Sequence, residues 1–156
     1  LAAIHGSAHS INSFIFAGTP EGEKRRSLDA LGGDGVIGGH SGLPFTQLLG
    51  GRLWHNPGVI GMPANDGTPR VWFSIVSETE AGLAIAHRAL PYDHEGAQAA
   101  MRSVGLPESY RKALATGLWP SLDVLPDRER AETGRPITEA STLWPARQPA
   151  RALPAV

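Results

Sequence analysis

The sequence predicts an α/β fold in which a mixed β-sheet packs against a second layer. Three observations carry this. Two short apolar runs, "LAAI" from Leu1 and "GVIG" from Gly35, flank a helical segment. Alternating segments between Phe45 and Leu90 then read as antiparallel strands. Two amphipathic stretches follow. One strand–helix–strand unit, then a meander, then helices suggests a sheet covered by a second layer.

"LAAIHGS" reads as a short buried strand ending in a polar turn at His5-Gly6-Ser7. "SINSFIFAG" has Ile11, Phe14 and Ile15 at helical spacing and is expected to be a short helix or turn. Thr19 is placed to N-cap a helix with Pro20 at its first position, running to about Leu31 and stopping at Gly32-Gly33. "GVIGGH" is too short and β-branched for a helix and reads as a second buried strand. In "FTQLLGGRLWHNPG" the Gly50-Gly51 pair supplies the positive φ of a hairpin. "PRVWFSIVSE" and "LAIAHRAL" are strands joined by a turn at Thr79 to Gly82. "DHEGAQAAMRSVG" is a helix capped by Asp93 and stopped by Gly105. "PESYRKALATG" is another, begun by Pro107 and ended by Gly117. From Ser121 to Val156 the chain is rich in Pro, Arg, Ala and Glu, with little apolar periodicity after Leu125. An extended or disordered tail is expected there, which puts the folded domain at residues 1–120.

Composition narrows the function. The net charge is -1, so neither nucleic acid in bulk nor an anionic membrane is attracted. With no cysteine, disulfides and thiolate metal sites are excluded, and a cytoplasmic setting fits. No apolar run approaches the roughly 20 residues of a membrane span. The chain opens at Leu1 directly into a strand, as expected of a chain cut upstream.

Several motifs fail on context. Gly33-Asp34-Gly35-Val36-Ile37-Gly38 spells GxGxxG, but a helix precedes it and Val36-Ile37 lie within the strand, the reverse of the dinucleotide fingerprint. A nucleophile elbow around Ser41 would need glycine at the position held by Leu43, and no lysine precedes Ser41 as in a phosphate loop. Ser41 is therefore read as a turn serine. Trp54, Trp72 and Phe73 alternate on strands as core residues do. His55 is expected at a strand surface or turn, His87 and His94 in solvent, and Arg70 in a structural salt bridge. His9 lies close in sequence to His5, with nothing to place it in a site.

His5 and His40 differ from these: each follows a buried apolar run, at the strand edge where open α/β sheets bind ligands. The segments "HGS…INSFIFAGTP", "GVIGGHSGLPFTQLLGGRLWHNPGVIGMPANDGTPRVWF" and "LPYDHEGAQAAMRSVGLP" follow one another in an order and spacing that resembles the calcineurin-like metallophosphoesterases, in particular a small bacterial branch. The likeness covers about Ala3 to Pro120 and is strongest from Val36 to Phe73. It implies a metal-dependent phosphoester hydrolase, a phosphomonoesterase or phosphodiesterase. The substrate would be a phosphorylated small molecule or nucleotide. Two divalent ions (Mn, Fe, Ni or Zn) would act with a bridging hydroxide. The implied fold is a two-sheet β-sandwich in a four-layer α/β/β/α arrangement, of which this chain is the C-terminal half.

Residue by residue, His40 matches the first histidine of the family's Gly-His-x-His motif and His5 the lone histidine before it, both ligands of one ion. The second histidine of that motif falls at Gly42, which has no donor atom. If the segment is extended, side chains at 40 and 42 point the same way. Asn56 and Gly58, in the Asn-Pro-Gly loop, are expected near the substrate, either positioning His40 or offering backbone amides to phosphate. The family's earlier motifs, Asp-x-His, Gly-Asp and Gly-Asn-His-Asp/Glu, have no counterpart in the right order, since Gly33-Asp34 comes too late. No catalytic residue is therefore assigned, and this chain alone is expected to be inactive. The alternative expectation is a relic of that fold, acting as a binding or regulatory module.

Overall fold

A computed structural model describes residues 1–146 and contains two sheets flanked by helices. The first sheet has the order β1-β2-β4-β3, built from Ala2–Ile4 (β1), Gly35–Gly38 (β2), Phe45–Leu49 (β3) and Arg52–Asn56 (β4). β1 and β4 both run parallel to β2, and β3 closes the sheet antiparallel to β4. The second sheet is an antiparallel meander of Val71–Thr79 (β5), Gly82–Leu90 (β6) and Ala140–Pro145 (β7).

Helix α1, Glu21–Leu31, lies over one face of the first sheet. Its Leu28 packs in a buried cluster with Ile15, Val36, Leu49 and Trp54. The alternation of β4 puts Trp54 on this face and Leu53 and His55 on the other. That other face meets the second sheet. There Trp144 of β7 donates from Nε1 to the Gly51 carbonyl oxygen at 2.8 Å, and its ring reaches Gly35. The β3–β4 hairpin turns through Gly50 and Gly51, with φ of 63° and 83°, the pair of positive values a two-residue primed turn demands. On the outer face of the second sheet, Ile75 and Leu143 stay exposed.

The two later helices form as expected. Asp93 caps α2, His94–Ser103, by accepting from the Gly96 amide at 2.8 Å, and Gly117 ends α3, Glu108–Thr116, in the left-handed conformation. Three expectations need correction. Thr19 does not cap α1. The N-cap is Pro20, and the Thr19 hydroxyl accepts from the Phe16 amide instead, tightening the turn before the helix. β1 is an edge strand and only partly buried, with Ala3 exposed. The segment after Ser121 is ordered as far as it is described: Asp127–Ala131 is a short helix, α4, and Ala140–Pro145 pairs along β6. Its composition hides this because the strand is only a third, outer member of a meander, so few of its side chains need be apolar. The remainder of the expected tail, 147–156, lies outside the described residues. Among the described residues no helix is long and apolar enough to cross a membrane.

Candidate metal site

Parallel pairing of β1 with β2 sets Ile4 beside Gly38, so the next residues of both strands emerge together at one sheet edge. The Gly39 amide donates to the Ile4 carbonyl oxygen at 3.2 Å, extending the ladder one step. His5 and His40 follow, and His5 Nε2 lies 3.0 Å from His40 Nδ1, with the rings edge to face at a centroid distance of 4.9 Å. A Cβ at Gly39 would stand 3.4 Å from His5 Nδ1, in van der Waals contact with that ring.

His40 has a φ of 63°, and the Ser41 amide donates across it to the Gly39 carbonyl oxygen at 2.8 Å. Together these define a γ-turn of the rare, strained hand, which persists only where the surroundings hold it. Here they do. The Phe14 ring packs on His40 at 4.4 Å. Buried Ser41 is clamped to Ile15 twice, donating from its hydroxyl to the carbonyl oxygen at 2.6 Å and accepting from the amide at 2.8 Å. The turn reading of Ser41 thus holds, with a more specific role. Ser41→Ala leaves both Ile15 groups buried without partners and is expected to lower unfolding stability by about 2 kcal/mol, read as a lower urea midpoint at unchanged slope.

Asn56, at the end of β4, is buried. Its Oδ1 accepts from the Gly58 amide at 3.0 Å, and its Nδ2 donates to the Gly39 carbonyl oxygen at 3.4 Å. Of the two roles considered for this loop, the arrangement is that of a brace on the strand end carrying His40. The Asn56 side chain is not open to a substrate, and the Gly58 amide is already engaged. Glycine at 58 follows from its φ of 87° and from Trp72, whose Cβ would lie 2.6 Å from a Cβ there.

Gly42 also departs from expectation. With positive φ at both His40 and Gly42 (71°) the segment is not extended, so the two positions do not share a direction. A Cβ at 42 would start against Val59 Cγ1 at 3.3 Å and Trp119 Cζ2 at 3.7 Å.

Two histidines expected at the surface are instead buried between the sheets. His55 and His87 have ring centroids 5.0 Å apart. Thr46 Oγ1 lies 2.9 Å from His55 Nδ1 and 2.8 Å from His87 Nε2, and Ser74 Oγ lies 3.1 Å from His87 Nδ1. Burial, and secondarily the neighbouring His87, lowers the His55 pKa to about 4, and burial lowers that of His87. His9 is exposed, while His94 lies at the start of α2 against Gln98. Arg70 forms the structural ion pair expected of it, with buried Asp66 at 3.1 Å, and stacks over Trp72. Trp54 and Trp72 are fully buried core residues as expected.

Among the described residues no group of three or more His, Asp or Glu side chains converges as a complete metal site. The two at the sheet edge are at hydrogen-bonding distance, a spacing that two ligands of one ion would also have. Two nitrogens each about 2.1 Å from a cation, at right angles to each other, lie about 3 Å apart, and His5 and His40 are at that spacing.

No protein-family model and no curated protein matches the chain. Solved structures do. A metallophosphoesterase from Sphaerobacter thermophilus superimposes with a TM-score of 0.64 and 25% identity, over 74% of this chain and 54% of that one. A hypothetical protein, PH1004, from Pyrococcus horikoshii OT3 superimposes with a TM-score of 0.62 and 18% identity, over 75% of this chain and 46% of that one. The chain thus spans about half the length of the solved structures it matches. With two sheets, flanking helices and paired histidines at a parallel-strand edge, it has a metallophosphoesterase-like fold.

Proposed function

We propose that the chain carries part of the metal site of a phosphoester hydrolase, with His5 and His40 as two ligands of one divalent ion. The observation that carries this is the 3.0 Å approach of His5 Nε2 to His40 Nδ1, across two strand ends and on a strained turn at His40. A merely structural histidine pair does not need such a turn. Substrates would be phosphomonoesters or phosphodiesters of small molecules or nucleotides. Divalent ions such as Mn, Fe, Ni or Zn, when bound, polarise a phosphoryl oxygen and acidify water, and in the complete enzyme two would act together. The chain's own contribution is to hold two imidazoles with a ring nitrogen of each turned toward the other. Phe14 and the Ser41–Ile15 clamp keep the His40 ring from turning away, and Asn56 braces Gly39 behind it.

The second reading, a metal-binding or regulatory module without catalysis, is favoured by Gly42 and by the incomplete ligand set among the described residues. Calorimetric titration with Mn²⁺ and Ni²⁺ tests the shared premise. Uptake of one ion is expected, weakened by at least about tenfold in His5→Ala and in His40→Ala. Uptake by both variants equal to that of the native chain overturns the site. Hydrolysis of p-nitrophenyl phosphate or its diester by the natural full-length protein, lost in His40→Ala, then selects the enzyme. Metal uptake without hydrolysis selects the module.

A further inference from the structure

The buried polar row between the sheets has one arrangement of protons that satisfies nearly every group. Thr46 has a single hydroxyl proton, yet its oxygen lies against a ring nitrogen of both His55 and His87. At most one ring can therefore accept from it, and if both donated the hydroxyl proton would be left without an acceptor, so one ring donates and the other accepts. If Thr46 donates to His55 Nδ1, the His55 proton sits on Nε2, which is buried and has no partner. Then His87 must donate from Nε2 to Thr46, and Ser74 must point at His87 Nδ1, leaving the Pro57 carbonyl oxygen without it. If the order is reversed, every proton is used. His55 donates from Nδ1 to Thr46, Thr46 to His87 Nε2, His87 from Nδ1 to Ser74, and Ser74 to the Pro57 carbonyl oxygen at 3.4 Å. Only the lone pair of His55 Nε2 is left over. Orphaned buried N–H groups are rarer than under-used acceptors, so the second order prevails.

The chain ends on the loop that matters. Pro57 sits between Asn56, which braces Gly39, and Gly58, which Asn56 holds. We infer that His55, Thr46, His87 and Ser74 form one directed hydrogen-bond chain that fixes the Asn56–Gly58 loop and, through Gly39, the turn presenting His40. They are positioning residues for the metal site, and this role rests on the reading of His5 and His40 as ligands. The chain also runs from the first sheet into the second and back, so it locks the two layers in register at the site.

Two measurements on the ¹⁵N-labelled chain at neutral pH test this. Long-range ¹⁵N–¹H correlation spectra should show His55 and His87 both neutral and both protonated on Nδ1, the minor tautomer of free histidine in water. An Nε2–H signature on either ring overturns the directed chain, whether or not any metal binds. Thr46→Val removes the hydroxyl at constant shape, and Thr46→Ser keeps it. The valine variant should shift the Gly39 and His40 amide resonances and weaken Ni²⁺ uptake by about tenfold, and the serine variant should restore both. Unmoved Gly39 and His40 resonances in a folded valine variant overturn the positioning role. If the valine variant fails to fold, the tautomers of the native chain still decide. If the native chain takes up no Ni²⁺, the ligand reading fails, and the tautomers and amide shifts judge the chain separately.

Discussion

Trp54→Ala should destabilise the protein by about 3–5 kcal/mol, against a total of about 5–15 kcal/mol for an ordinary domain. Trp54 is fully buried in the middle of the first sheet, on the α1 face, in one cluster with Leu28, Val36 and Leu49. Removing it opens a cavity that Leu28 from the helix and Val36 from the neighbouring strand cannot both fill, since each is fixed by its own backbone. The indole also covers Gly38, where a Cβ would sit 3.6 Å from Trp54 Cζ2. Gly38 is the last residue of the strand that delivers His40, so the loss reaches the site. The expected result is a much lower urea midpoint together with weaker Mn²⁺ uptake by whatever fraction stays folded. Trp144→Ala is the control: that ring is half-buried and bonds to an exposed hairpin residue, so its removal should cost much less. If the two variants lose stability equally, the core is not where the structure puts it.

How far the sequence could be read follows from which forces are local. The Gly50-Gly51 hairpin, the Asp93 cap and the Gly117 stop are each decided by a few adjacent residues, and each was legible. The meeting of His5 and His40 was legible for a different reason: parallel strands joined by one helix bring their equivalent ends to one edge. β7 was not legible, because its pairing partner lies about 60 residues upstream, judged from the register of Ala84 with Leu143, and its own alternation is weak. His55 is an intermediate case. The hairpin register alone places it opposite Thr46, counting outward from the Gly50-Gly51 turn. That it faces inward and meets His87 depends on the second sheet, which no local pattern encodes. The direction at Gly42 was misread on the assumption of an extended segment, since positive φ at His40 and again at Gly42 has no reliable sequence signature.

Stability should fall by about 3 kcal/mol as the pH drops from neutrality to 4 through His55 alone. The folded protein holds this ring neutral, with a pKa lowered from 6.5 to about 4 because protonation would place a charge between two sheets, beside His87. The unfolded chain takes up the proton at the ordinary value. Between those two values the unfolded state binds more protons, so the contribution is complete above pH 6.5 and is lost progressively as pH falls to about 4. The lowered pKa of His87 acts in the same direction. A charged His55 could still donate to Thr46, but a charged His87 could no longer accept from it, so acid also breaks the order of the row. The upper half of this window lies above the range in which ordinary carboxylates titrate, so the slope there belongs to histidine. Urea midpoints measured across it should decline in the native protein. In His55→Gln, which keeps an amide donor for Thr46 and has no titrating ring, the decline should be much shallower from a lower starting stability. Parallel declines in the two proteins would mean that His55 takes up its proton without leaving the fold, and that the sheets are not closed around it.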